Sequence, residues 1–238
     1  MVGAPYALTA GDPLGELPEC IWASQAGARG KVDHLDVKPS TAVRHLVEMA
    51  TVAHDRLALR DREIGWPLEE LWVAGDLLEH PSDLEAGSVV LVLDLPPEEL
   101  PWLAMHPAAE WVGAQLRLGK RPFLWSYRPV LWPVWNQRHR RVARFWSARS
   151  GLDAAVLDAL RDGRVDDVPI VEPSTDELKD QLRTEADASG THLRKVLAAY
   201  WDTDWRRLHK GPDTSPEDQL WRAAQAAVEI ADALDDLR

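Results

Sequence analysis

The side chains best suited to chemistry in this sequence are arginines and aromatics crowded into one stretch. Residues 111–152 hold nine basic side chains, Arg117, Lys120, Arg121, Arg128, Arg138, Arg140, Arg141, Arg144 and Arg149, and no Asp or Glu. Trp111, Phe123, Trp125, Tyr127, Trp132, Trp135, Phe145 and Trp146 are interleaved with them. Guanidinium groups pair with phosphates and aromatic rings stack on bases, so the pattern suits a nucleotide or nucleic-acid surface. The candidate binding residues are Arg128, Trp132, Trp135, Arg138, Arg140, Arg141 and Arg144. Two other uses fit the same residues: neutralising acidic helices packed alongside while the aromatics fill a core, or meeting an acidic protein partner. Outside the stretch the chain carries 18 basic and 39 acidic side chains, for a net charge of −12. The long-range field of such a protein repels polyphosphate, which favours internal neutralisation.

Other chemistries lack their parts. There is no Gly-x-Ser-x-Gly elbow and no Gly-x-Gly-x-x-Gly turn, and the single cysteine, Cys20, lies in an unpatterned leader. The eight histidines include no pair at ligand spacing with a cysteine or an acidic cluster, so neither a metal nor a cofactor is expected. A segment with Gly27 and Gly30-Lys31 has the flavour of a phosphate loop. It has two residues between Gly27 and Gly30 where a phosphate loop needs four, and Val32 stands where Ser or Thr would hold magnesium. His54 lies on an apolar helical stripe and reads as a packed imidazole; His80 reads as part of a turn.

The elements that must position these groups follow from periodicity. Residues 1–37 show neither helical nor strand period and read as a poorly ordered leader, with the patterned protein starting close to Val37. Val43, Leu46, Val47, Ala50, His54 and Leu57 then mark a helix capped near Pro39-Ser40-Thr41. Leu71–Ala74 and Ser88–Leu93 are apolar runs of the kind buried on both faces of a sheet. Residues 98–118 contain Pro101 and Pro107 and lead into a helix with Trp111, Val112, Leu116 and Leu118. Pro129 and Pro133 confine residues 122–135 to an edge or an irregular path, and Val142–Trp146 is a further strand.

The last third reads as helical. Asp153 opens a short helix ended by Gly163, and Ser174-Thr-Asp-Glu177 is a capping box starting a helix that Gly190 interrupts. A helix over 191–209 with Leu193, Val196, Leu197, Tyr200, Trp201 and Leu208 on one face then pairs with one starting at Ser215-Pro216. That last helix shows Leu220, Trp221, Ala224, Val228, Ala231 and Leu234 as its apolar face. At least two of Trp201, Trp205 and Trp221 are expected to pack between this pair and the sheet; otherwise they form a protein-binding or dimer face.

The expected fold is therefore α/β (α+β): a small mixed sheet covered by helices over 38–172, followed by a C-terminal antiparallel helical hairpin over 173–238 packed on it. The longest aliphatic run, Val89–Leu93, is far short of the ~20 residues a membrane helix needs. With no apolar signal segment at the N-terminus, a cytoplasmic location is expected. The chain's 21 Arg against 6 Lys, with one Asn, suggest the coding bias of a high-GC bacterium.

Two resemblances follow from particular residues. The order helix, strand ending Ala74-Gly75-Asp76, apolar strand ending at Asp94, helix, strand resembles the core of the nucleotidyltransferase fold over roughly residues 40–130. That resemblance implies a Gly-Ser turn on nucleotide phosphates and two alternating carboxylates on metal. Here Gly75 matches, Asp76 replaces the serine, and Val89 and Leu91 replace the carboxylates, leaving Asp94 off the pattern. Gly75, Asp76 and Asp94 are thus the possible remnants of a nucleotide turn in a protein with no transferase activity. Further on, Tyr200-Trp-Asp-Thr-Asp-Trp-Arg-Arg207 followed by Pro216-Glu-Asp-Gln-Leu-Trp221 resembles an uncharacterised actinobacterial domain-of-unknown-function family, which brings no activity with it. The leading expectation is a non-catalytic binding or interaction protein with a protein partner, and no membrane. The alternative is a degenerate nucleotidyltransferase-like protein that still binds a nucleotide or nucleic acid.

Overall fold

The computed structural model describes residues 38–57, 66–79, 87–211 and 214–238; the expected leader, Cys20, the Gly30-Lys31 segment and the turn at His80 lie outside the described residues. Helix α1 (Pro39–Leu57) leads to strand β1 (Leu68–Gly75), the single turn α2 (Asp76–Glu79) and strand β2 (Gly87–Leu93). Helix α3 (Pro107–Gln115) precedes β3 (Phe123–Pro129), β4 (Val142–Ser147), the two-residue β5 (Gly151–Leu152) and α4 (Ala154–Arg161). Helices α5 (Thr175–Ala199), α6 (Thr203–Leu208) and α7 (Pro216–Asp236) complete the chain. No helix among the described residues is long and apolar enough to cross a membrane.

The architecture is the mixed α/β one expected. The strands lie in the order β3-β2-β1-β4-β5, with β2 and β3 parallel and the other pairs antiparallel. Every residue of β2 is buried, as its unbroken apolar run demands: Val89, Leu91 and Leu93 face the main core, and Val90 and Val92 face the other side. Joining two parallel strands requires a crossover, which α3 supplies. Pro107 sits at the start of that helix, where its missing N–H costs nothing, and the His106 imidazole accepts a hydrogen bond from the Ala108 N–H at 3.3 Å. Because β3 is an edge strand, Pro129 at its end breaks no ladder on its free side.

Helices α1, α3 and α4 cover one face through Leu46, Met49, Val112, Leu157 and Leu160. The second face carries Ala74, Val90, Val92 and Val142 under Val134 and Trp135 of the β3–β4 loop. Helices α5 and α7 form an antiparallel hairpin: Lys179 reaches the Leu237 carbonyl at one end (3.4 Å), and Tyr200 reaches Glu217 at the other (3.3 Å). The hairpin buries Leu178, Leu182, Ala226 and Ile230 against Trp102 and Leu103. Both helices begin as their sequences dictate. Ser174 and Glu177 form the reciprocal capping box, whose hydrogen bonds hold the Glu177 carboxyl below its ordinary range; Ser215 caps α7 with Pro216 at its first position.

Five details differ from the sequence reading. Helix α5 runs through Gly190 without a break, because burying its apolar stripe outweighs the ~1 kcal/mol that a glycine costs in a helix. The interruption comes instead at Trp201-Asp202, where Asp202 accepts from the Trp205 N–H at 2.7 Å and starts α6. Helix α7 turns a different face inward: Gln219, Arg222, Ala223, Ala226 and Ile230 are buried, while Trp221, Val228 and Ala231 are exposed. His54 is exposed, the buried stripe of α1 running through Ala42, Met49 and Ala53. Helix α3 stops at Gln115, and Arg117 takes a positive φ of 55° to turn the chain.

Two glycines predict opposite responses to a methyl group. A Cβ on Gly113 would stand 2.8 Å from the buried Trp125 ring, whereas one on Gly190 would meet nothing closer than the Arg194 guanidinium at 3.8 Å. Urea unfolding is expected to show Gly113→Ala losing about 1–3 kcal/mol and Gly190→Ala gaining up to about 1 kcal/mol.

Candidate functional site

Within the arginine-rich segment, Arg128 at the end of β3 and Arg138 in the following loop turn inward, while Arg117, Lys120, Arg140, Arg144 and Arg149 are exposed. Arg128, 1% exposed, makes a two-pronged ion pair with Glu185 of α5, at 2.7 and 2.6 Å. The remaining guanidinium N–H groups reach the carbonyls of Pro133 (3.1 Å) and Trp135 (3.4 Å), and Gln181 donates to Glu185 at 3.0 Å. Trp132, half-buried, has the Arg128 guanidinium carbon 5.5 Å from its ring centre. A second junction forms at Glu229 of α7, which accepts from Arg138 (3.0 Å), Trp102 Nε1 (2.8 Å) and Gln225 (2.8 Å). Trp135 packs between the sheet and the hairpin. Asn136, fully buried, holds the turn by accepting from the N–H groups of Arg138 and His139, both at 2.8 Å.

Nearer β4 the arginines emerge. Arg144 pairs with Glu70 at 2.7 Å and lies 6.0 Å over the Trp72 ring, while Trp72 Nε1 donates to the same Glu70 carboxylate at 2.8 Å. Arg141 lies 3.8 Å from Glu172 and reaches the Leu78 carbonyl at 3.4 Å; Arg140 is exposed. A groove of about 520 Å³ is lined by Glu69, Glu70, Val130, Arg144, Ser147, Arg149 and Ser150. The seven candidate residues therefore do not form one continuous basic surface. Arg128, Arg138 and Trp135 join the hairpin to the sheet, Trp132 stacks beneath that junction, and Arg140, Arg141 and Arg144 stay near solvent.

The possible remnants of a nucleotide turn are not brought together. Gly75, with φ 72°, ends β1 and Asp76 opens α2, at the end of the sheet where β1 meets the start of β2. Asp94 follows the far end of β2, where its N–H donates to the Pro67 carbonyl at 2.7 Å. A whole strand, about 20 Å, separates the two carboxylates. Val89 and Leu91 are fully buried in the apolar core. Among the described residues no group of three or more His, Cys, Asp or Glu is arranged to hold a metal ion.

A different surface stands out on the C-terminal helices, one that the sequence reading had assigned mainly to the interior. Trp201 is 82% exposed, Leu208 81%, Val228 57%, Trp221 56% and Leu197 52%. Trp205, half-buried, stacks on His209 with ring centres 4.4 Å apart. Glu217 draws the pieces together by accepting from Tyr200 (3.3 Å) and Arg206 (3.0 Å), so that Trp201, α6 and the start of α7 share one end of the hairpin. The signal for this face was available in the sequence as the stripe Trp221, Ala224, Val228, Ala231. It was legible as apolar but not as outward-facing, because the inward stripe contains Gln219 and Arg222.

These features define an α/β protein with a docked helical hairpin and exposed aromatic side chains at the hairpin's end. The family model described as "Domain of unknown function (DUF7711)" matches residues 37–236, and the chain belongs to that family. No curated protein and no solved structure matches it.

The junction between segment and hairpin makes two predictions. Arg128→Ala strands a buried carboxylate and is expected to cost about 3–5 kcal/mol in urea unfolding, while Arg128→Met with Glu185→Leu recovers most of it. Burial, then the charges of Arg138 and Arg128, lower the His139 pKa from its ordinary 6.5 to about 4. The unfolded chain therefore binds the proton first, so His139 stabilises the fold fully above pH 6.5 and that stability drains away as the pH falls towards 4. The loss is expected to be about 2–3 kcal/mol, and His139→Gln should flatten this part of the stability profile.

Proposed function

We propose that this protein is a non-catalytic binding protein of the cytoplasm that recognises a protein partner through the outward face of its C-terminal helices. The observation that carries this reading is the exposure of Trp201 and Trp221 at one end of the hairpin, with Leu197, Leu208 and Val228 also exposed on the C-terminal helices. Large apolar side chains exposed on a surface lose free energy when a partner covers them, and Trp, Tyr and Arg are the residue types enriched at the energetic centres of protein interfaces. Arg206 and Arg207 supply the charged rim, each held by a carboxylate, Glu217 and Asp204 respectively.

The alternative, a nucleotide- or nucleic-acid-binding protein with remnants of a transferase turn, would have to use Arg140, Arg141 and Arg149, which lie near solvent. Its support is weaker, because Arg128, Arg138 and Arg144 are engaged by Glu185, Glu229 and Glu70. Captures from a host extract by the immobilised parent and by a Trp201→Glu, Trp221→Glu variant separate the readings. A protein partner bound by the parent and weakened about 100-fold or more in the variant, with unchanged circular dichroism, is the expected outcome. A partner held equally by both, or a salt-sensitive polynucleotide affinity lost in Arg140→Glu, Arg141→Glu, overturns it.

A further inference from the structure

We infer that residues 191–210 form a flap, hinged at Gly190 and Gly211, that lifts off the first turns of α7 and so sets the distance between the two halves of the docking face. Its use in recognition rests on that face; the motion itself rests on the fold. The first hinge lies inside α5. Ser189-Gly190 is the kind of pair at which helices bend most readily, and packing does not demand a glycine there, since a Cβ would meet nothing closer than the Arg194 guanidinium at 3.8 Å. An alanine would fit and would stiffen the helix. The second hinge, Gly211, follows α6 and turns the chain towards α7, its carbonyl accepting from the Thr214 N–H at 3.2 Å.

Burial changes at the first hinge. Before Gly190, α5 buries Leu178, Leu182, Glu185 and Ser189, and Arg128 holds Glu185 in place. From 191 to 210, Val196 alone is buried. The flap therefore gives up little apolar contact when it lifts. Two polar atoms gain from the motion. Ser189 Oγ and His192 Nε2 are buried with no hydrogen-bond partner among the described residues, and opening admits water to both. Burial, then the charge of Lys195, holds the His192 pKa below its ordinary value, as expected of an imidazole short of water.

The segment is coherent within itself and lightly tied to α7. Arg206 reaches the Tyr200 carbonyl at 3.3 Å and its guanidinium carbon lies 5.2 Å from the Tyr200 ring centre, which binds α6 to the end of α5. Asp202 caps α6, and Trp205 stacks on His209. Among the described residues, the polar ties from the flap to α7 run through one exposed side chain, Glu217, which accepts from Tyr200 and Arg206. Exposed contacts of this kind contribute little. A piece held firmly inside and weakly outside opens as a unit. Trp201 and Leu208 ride on that piece, whereas Trp221 and Val228 stay on α7.

Hydrogen exchange on the full chain, followed by peptide mass spectrometry, tests the flap. Amides of 191–199 are expected to exchange together and faster than those of 178–189, with the step at Gly190. Gly190→Ala should slow exchange over 191–199 by about fivefold, the effect of replacing a glycine within a helix. Gly113→Ala weakens the main core, which stays closed when the flap lifts. It should speed exchange over 178–189 by about fivefold or more and leave 191–199 unchanged. Equal protection on both sides of Gly190 overturns the inference. So does a gradient rising smoothly towards Ala199, the mark of a fraying end, or a response of 191–199 to Gly113→Ala that matches the rest of α5. The chain is measured without a partner, so failure of the docking face, read by capture, is distinguishable from failure of the flap.

Discussion

A guanidinium and a carboxylate withdrawn from water hold this molecule in its arrangement. Arg128 on the edge strand and Glu185 in the middle of α5 are both essentially inaccessible to solvent, and each is tolerable there because the other is present. The pair fixes where the hairpin lies on the sheet. It also explains why the loop after β3 takes its irregular path: the Pro133 and Trp135 carbonyls must come round to accept the remaining guanidinium hydrogens. Hydrophobic burial of Leu178, Leu182, Ala226 and Ile230 would be satisfied by several orientations of two amphipathic helices. A two-pronged ion pair, with Glu229 as a second fixed point one helix away, is far more selective.

The segregated charge in the sequence is resolved by the same contacts. A positive stretch in a strongly negative chain invites a polyanion, yet the acidic groups of the chain's own helices and strands take up Arg128, Arg138 and Arg144. The strand positions where a transferase would place carboxylates are filled by Val89 and Leu91, inside the packed layer between sheet and helices.

Much of the secondary structure was legible because its signals are local. The apolar run of β2, the proline-marked edge strand and the Ser174 and Ser215 caps each depend on a few neighbouring residues. What was not legible depended on partners distant in sequence. Gly190 looks like a helix break until α7 is packed against the same helix, and the inward face of α7 contains Gln219 and Arg222, polar residues a hydrophobicity count assigns to solvent. His54 shares the spacing of α1's buried stripe but sits just beyond its limit. For the candidate site the residue types were visible, but their destinations were not: nothing within 111–152 says that Arg128 will meet a glutamate 57 positions later.

The unbroken course of α5 has a mechanical consequence. Glu185 anchors the rod to the sheet near its middle, and the last residue, Ala199, stands about 20 Å further along the axis, so the last turns of α5 are held by α7, through buried Val196 and the Tyr200–Glu217 contact, at a distance from that anchor. Substitutions at that tip can therefore change what the protein recognises while leaving the clamped layers beneath it undisturbed.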